Sequence, residues 1–509
     1  MRRQGSVLFL LAAACALCAA ALSGCAAPPA AEVSKSLAPA GSSAAPAEGK
    51  IPVTTSSEEA RKEFLQGRDM QERLLAQDSI QHFDKALALD PNFALAELGR
   101  ANASQTAKEF FEHLQKAVDL SGKSSEGERL LILATQAGAN GEALKQKEQL
   151  DKLVAANPND ERAHFQLGGY YFGQQDFAQA VQHYRKATEL APNYSPAYNI
   201  LGYAYRQQGD YANAEQAFKK YIELIPNDPN PYDSYAELLL KMGRYEEAIA
   251  QYRKALSIDR NFVNSHNGIA AALLYSGKPE EAAAELKAIS DGARSDGDRR
   301  TALFGMTVVD ADGGKLDKAL AEAEQQYALG EKIGDVAAMT GDLQLKGNIL
   351  VEMGKYDEAK AQFDKLLKMT EESALSPEIK NNTRRFHHYN LVTVALGKKD
   401  FAGAKAEAEE YRKGAEESKN PNQLKLAHEL AGMIALAEKD YDKALAELQQ
   451  ANQQNPQNLY RLSQAYRGKG DGAKAREFAS KAAAFNSLPQ LNYAFVRTKA
   501  QKMASDMKG

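Results

Sequence analysis

The chain reads as an all-α superhelix of about twelve stacked helix pairs. Three features carry that inference: a period of 34 residues, small residues at fixed offsets within it, and no run that reads as a strand. The period is plain where ERAHFQLGGYYFGQQDFAQAVQHYRKATELAPNY, from Glu161, is set over the segments that begin at Ser195, Pro229 and Val263. Ala180, Ala214, Ala248 and Ala282 each fall 34 residues after the last. Gly168 with Ala180, Gly202 with Ala214, Gly347 with Ala359 and Gly432 with Ala444 are 12 apart, the spacing expected where two helices of a pair cross closely. Tyr, Phe and Leu at helical spacing then fill the seam to the next pair.

Punctuation supports the same reading. Gly209-Asp210, Gly243-Arg244, Gly277-Lys278 and Gly354-Lys355 sit where a first helix must stop, and Gly takes the left-handed conformation that stops it. Pro91, Pro158, Pro192, Pro226 and Pro456 mark the ends of second helices. Ser57 to Phe93 is a recognisable unit, and Ala94 to Asp160 holds two degenerate ones. After Ala282 the equivalent alanines fall at Ala319, Ala359, Ala404, Ala444 and Ala475, so these pairs have longer helices or turns. The array is expected over 57–296 (best units 161–262), longer-period pairs over 297–424, and terminal units over 425–509 with Leu488 to Met507 as a capping helix.

The pattern Leu-Gly-x-x-Tyr, Ala-x-x-x-aromatic, Pro appears as Leu167, Gly168, Tyr171, Ala180, Tyr184, Pro192 and again as Leu201, Gly202, Tyr205, Ala214, Phe218, Pro226. It resembles the tetratricopeptide repeat, with the consensus Trp near each start replaced by His164, Tyr198, Tyr232 and His266. The resemblance implies a right-handed solenoid whose first helices line a concave groove that receives a peptide segment or another protein. Residues of those helices not used in the seam are the binding candidates: Arg162, Phe165, Gln166, Phe172, Asn199, Tyr203, Arg206, Asn230, Asp233, Asn267 and Tyr275. Chaperone-binding members carry a Lys/Arg and Asn clamp on three successive first helices. Arg162 and Gln166 could start one, but Ile200 and Ser234 stand where Asn and a base are needed, so no clamp is expected.

The first 24 residues read as a leader: Met1-Arg2-Arg3, then an apolar run from Val7 to Leu22 that is short for a membrane span. Leu22-Ser23-Gly24-Cys25 resembles the lipobox of bacterial lipoproteins, which implies lipidation at Cys25 and anchoring to an envelope membrane. Ala26 rather than Asp after the Cys implies the outer membrane of a Gram-negative host, facing the periplasm. Residues 25–56, rich in Ala, Pro and Ser, read as a flexible tether.

Lys plus Arg is 63 and Asp plus Glu 67, a balance that offers no field to nucleic acid. Cys15 and Cys18 fall in the leader, so the mature chain has no disulfide and no thiolate site. Gly122-Lys123-Ser124 lacks the first Gly and the strand of a phosphate loop, and the Gly468, Gly470, Gly472 turn is a helix stop. His428-Glu429 lacks the second His of a zinc protease. His387 and His388 point about 100° apart on a helix, and His388 matches the packing slot of His164 and His266. No catalytic residue, metal or cofactor is expected, and a small-molecule ligand is not favoured. The expected role is a non-enzymatic, membrane-anchored scaffold for an envelope protein or peptide. A glycan-capturing lipoprotein, argued against by the absence of Trp, and an enzyme using His387 or Glu429 in the long-period units are the alternatives.

Overall fold

The computed structural model describes residues 49–506 apart from 74, 105, 106, 294 and 374, and apart from the side chains of 107 and 108. The leader, Cys25 and the tether as far as residue 48 lie outside the described residues. Twelve helix pairs run from Glu58 to Ala483, and no strand occurs among the described residues. The first pair is Glu58–Glu72 with Ala76–Leu89, the fourth Glu161–Gly173 with Phe177–Leu190, and the twelfth Pro456–Gly468 with Gly472–Ala483. Second helices pack on their own first helix and on the next, the order of a solenoid. The long-period pairs have longer helices, for example Pro377–Gly397 with Phe401–Ser418. The expected single capping helix is instead two, Leu491–Ala494 and Arg497–Asp506.

The recurring alanines Ala180, Ala214, Ala248, Ala282, Ala319, Ala359, Ala404, Ala444 and Ala475 are all 0% exposed. They do not themselves fill the space beside the glycines. In the regular pairs the residue facing the glycine is the ring four positions beyond the alanine. A Cβ on Gly168 would lie 2.8 Å from the Tyr184 ring, and one on Gly202 2.7 Å from Phe218. Phe83 shows the full arrangement, for it sits between Gly67 of its own pair and Gly99 of the next, with Cβ clearances of 2.9 and 2.5 Å. Phe83 is thus a wedge between two successive first helices, buried where neither helix has a side chain to oppose it, while Tyr184 and Phe218 fill the hollow within their own pairs.

The predicted stops hold: Gly209, Gly243, Gly277 and Gly354 have φ of +79, +74, +84 and +76°. Gln175, Lys399 and Lys439 occupy the same turn position with φ of +63, +61 and +64°. The turn is then stabilised by the next residue: Asp176, Asp210, Asp400 and Asp440 cap the second helix by accepting from the amide three residues on.

The slot expected to hold packing histidines is a polar rung. His266, His388 and His428 on first helices meet Glu285, Glu407 and Glu447, each 19 residues later on the second helix, with His388 Nδ1 2.6 Å from Glu407 and His428 Nδ1 2.7 Å from Glu447. In the fourth pair the rung is His164 with His183, their Nδ1 atoms 3.2 Å apart, while His164 Nε2 donates to the Pro158 carbonyl at 3.1 Å.

The superhelix touches itself after seven pairs. Asn422, at the start of the eleventh pair, donates to the Gly173 carbonyl of the fourth at 2.9 Å. Lys425 donates to the Gln174 carbonyl at 3.3 Å and to Gln175 Oε1 at 3.1 Å. One pair earlier on each turn, Asn382 lies against Gly141.

Both ends of the described chain strap this coil. Residues 51–56 cross the N-terminal ends of the first helices of pairs four to two: Ile51 N donates to Asp160 at 2.9 Å, Thr54 N to Glu128 at 2.7 Å and Ser56 N to Asp90 at 2.8 Å. This end of the expected tether is therefore held by carboxylates at the helix starts. The C-terminal segment crosses the opposite ends of pairs six to nine. Lys241 donates to the Phe485 carbonyl at 2.6 Å, Tyr275 Oη to the Ser487 carbonyl at 2.7 Å, Arg497 Nε to Asp312 at 2.7 Å, and Lys499 pairs with Glu352.

Two expected outcomes follow from this packing. Gly202→Ala drives a methyl into Phe218 and should cost about 1–3 kcal/mol, read as a lower denaturation midpoint with early exchange in the fifth pair. Burial, and for His183 also the neighbouring His164, hold both imidazoles below their ordinary pKa. The fold therefore binds fewer protons than the unfolded chain, and this stability is present above about pH 6.5 and lost as pH falls below it. His183→Glu supplies the acid found in the other rungs, so the melting temperature of that variant should drop less than the parent's between pH 7.5 and 5.5.

Candidate functional site

Closure of the coil turns the concave groove into a lumen of about 1280 Å³. It is larger than the usual drug-sized pocket and has room for an extended chain. Its walls come from the first helices of pairs one to six on one side, pairs ten to twelve on the other, residues 50–53, and the C-terminal strap at one end.

Five of the eleven candidate residues line it: Arg162, Phe165, Gln166, Phe172 and Arg206. Gln166 is exposed to it. The Arg162 guanidinium is fixed by Glu72, with Nε at 2.6 Å and an Nη at 3.0 Å, and lies 5.1 Å over the Tyr194 ring. Phe165 is held between the Tyr184 and Tyr194 rings, each with its centroid 5.6 Å away. Arg206 pairs with Glu237 at 3.1 Å and covers the Tyr203 ring at 4.6 Å.

The other six do not line the lumen, and five of them are committed within the array. Asn199 donates to Asn230 Oδ1 at 3.4 Å, which also accepts from Tyr221 Oη at 3.0 Å. Asp233 is buried, accepts from Ser265 at 2.7 Å, and has its pKa raised by burial and then by the nearby Glu237 charge. Asn267 lies under Gly305, and Tyr203 packs edge-on to Phe218 at 5.2 Å. Tyr275, expected to face a partner, is taken by the chain's own Ser487 carbonyl and by the Tyr493 ring at 5.3 Å.

Sequence spacing missed Arg68, Lys241, Arg385 and Lys425, which also line the lumen. Arg68 lies in the first unit, outside the best-matching units where candidates were sought, and Lys425 faces the lumen only through closure. Lys241 ends a first helix of a good repeat, so its position could have marked it. Burial and then Arg206 push the Lys241 ammonium down to about 7, and its partner is a carbonyl.

The groups behind the enzyme alternative are tied up. Glu429 is 0% exposed and accepts from Arg461, Asn458 and Tyr389, each at 2.8 Å. His387 faces Asp364 at 3.4 Å, and His388 belongs to its rung. Among the described residues no group of three His, Cys, Asp or Glu could hold a metal, and no helix is long and apolar enough to cross a membrane.

Tetratricopeptide-repeat models match residues 147–195 and 170–229, 217–250, 236–277 and 343–373. Tetratricopeptide repeats are therefore present in the chain, and its fold is a solenoid of that class. No curated protein matches it. Among solved structures, a tetratricopeptide repeat protein from Parabacteroides merdae is 18% identical, covering 51% of this chain and 99% of its own with a TM-score of 0.35. A thermophilic one from Thermus thermophilus is 27% identical, covering 36% and 96% with a TM-score of 0.30. YrrB, described as having an unusual peptide-binding site, is 18% identical over 36% of this chain and 93% of its own, TM-score 0.25. Proteins with these repeats commonly mediate protein-protein interactions and bind peptides, and the fold is typically a non-enzymatic scaffold.

The strap can be tested by itself. Tyr275→Phe removes one hydrogen bond, about 0.5–1.5 kcal/mol, and Phe485→Ala also removes the ring under Lys241, 3.8 Å from its ammonium. Limited proteolysis should cut faster between Ala484 and Gln490 in the double variant, with helical content unchanged.

Proposed function

We propose that this protein is a non-enzymatic scaffold, lipid-anchored at Cys25 in the cell envelope, that binds an extended segment of another envelope protein in its lumen. The observation that carries the binding half is the strap. Residues 485–487 are an irregular segment whose Phe485 and Ser487 carbonyls accept from Lys241 and Tyr275, side chains at the ends of adjacent first helices. Asn486 Oδ1 accepts from Tyr245 Oη at 3.1 Å. A guest backbone placed along the first helices of pairs four and five meets polar groups at Arg162, Gln166 and Arg206, with Phe165 and Phe172 to bury its apolar side chains. The leader and lipobox support the anchoring half, and placement in the outer membrane rests on Ala26.

Abundant amides and aromatic rings around the lumen also suit a glycan, the second reading. Crosslinking of the anchored protein in native membranes should capture specific envelope proteins that are lost with Phe165→Ala and Gln166→Ala. Equal capture by both forms rejects the lumen as the site, and hits on a glycan array with no protein captured would favour the second reading. Cys25→Ala should move the protein to the soluble fraction; retention on membranes would end the anchoring claim.

A further inference from the structure

The charge inside the coil opposes the charge of the chain. The whole protein carries a formal charge of -4, yet eight Lys and Arg residues line the lumen against five Asp and Glu. The five acids are spent. Glu72 holds Arg162, Glu237 holds Arg206, and Glu161 holds Lys50. Asp160 caps the fourth first helix and accepts from Ile51, and Glu429 is tied to Arg461.

Among the cations, Lys241 and Lys425 donate to carbonyl or amide oxygens. Arg61 and Arg68 stand seven residues apart on one face of the first helix. Arg61 makes no ion pair with a described residue, and Arg68 is 4.0 Å from a Glu72 already gripped by Arg162. Burial and the adjacent Arg162 charge lower the Arg68 pKa, so a guest carboxylate there would relieve an existing repulsion.

We infer that the lumen selects an acidic extended peptide, whose carboxylates meet Arg61 and Arg68 on the first pair while its apolar side chains lie against Phe165 and Phe172. The inference rests on the peptide-binding reading and adds the chemistry of the partner. Apart from Lys50, Arg162 and Arg206, held by lumen carboxylates, the cations come from pairs one, six, ten and eleven, brought together by closure, so the arrangement differs from a clamp on three successive first helices. Acidic peptides gain here because partly enclosed charges are screened less than surface ones.

The test uses the purified full chain in detergent and fluorescein-labelled twelve-residue peptides of one Ala/Phe pattern, with Glu, Gln or Lys at the spaced positions. Anisotropy should give the Glu peptide at least tenfold tighter binding than the Gln peptide at low salt, falling as salt rises. Arg61→Gln with Arg68→Gln should bring it to the Gln level, and Arg61→Lys with Arg68→Lys should restore most of it. Neither residue holds the strap or the closure, and an unchanged melting curve will show that the variants fold. Equal binding of Glu and Gln peptides overturns the acidic preference and leaves peptide binding standing. Absence of binding by all three overturns peptide binding itself. An oligogalacturonate that binds where the Glu peptide does not would show that the lumen takes an acidic sugar, and overturns both.

Discussion

The structure depends on a volume that is withheld. In the fourth and fifth pairs a glycine leaves a hollow on the first helix, and a ring from the second helix fills it, as Tyr184 does at Gly168 and Phe218 at Gly202. Where the next first helix also has a glycine, as with Gly67 and Gly99 around Phe83, one ring sets both the angle within a pair and the step to its neighbour. Close packing then propagates that step along the array. The polar rungs and the Asp caps act on what this contact has already placed.

Repetition makes the step cumulative, and closure is its sum. A small change in the rotation per pair, carried through seven pairs, would separate Asn422 and Lys425 from the fourth pair. The lumen is thus a property of the whole array, which explains why its walls are polar as well as aromatic. Each wall must serve as the solvent-facing side of its own pair and as the inner surface of a coil. Charges there are matched in place, as Arg162 with Glu72 and Arg206 with Glu237, because partly buried ions without partners are costly.

Local structure was legible in the sequence to the extent that one residue decides it. Gly209, Gly243, Gly277 and Gly354 announce their turns because glycine enters the left-handed region freely, and the alanine register gives twelve pairs. Gln175, Lys399 and Lys439 take that conformation against their own preference, held there by the surrounding turn, so no residue type signals it. The lumen was half legible. First-helix position identifies Arg162, Phe165, Gln166, Phe172 and Arg206, but Tyr275 looked equally open because its partner, Ser487, is 212 residues away. No periodicity encodes a contact between a repeat and a segment outside the repeats. The same holds for the tether's end, whose amides are claimed by Asp90, Glu128 and Asp160.

The bonds from Asn422 and Lys425 to the fourth pair make the coil a ring in effect, and a ring imposes a rule of passage. An open groove admits a chain sideways and releases it as soon as enough contacts break. A closed turn offers two routes, sliding along the axis past an end or parting the seam between turns. Departure by either route is slow in proportion to the length held or to the strength of the seam, whatever the guest's own affinity. Residence time and affinity are thereby uncoupled, so such a holder can keep a weakly bound strand for long periods and surrender it promptly when the seam is opened.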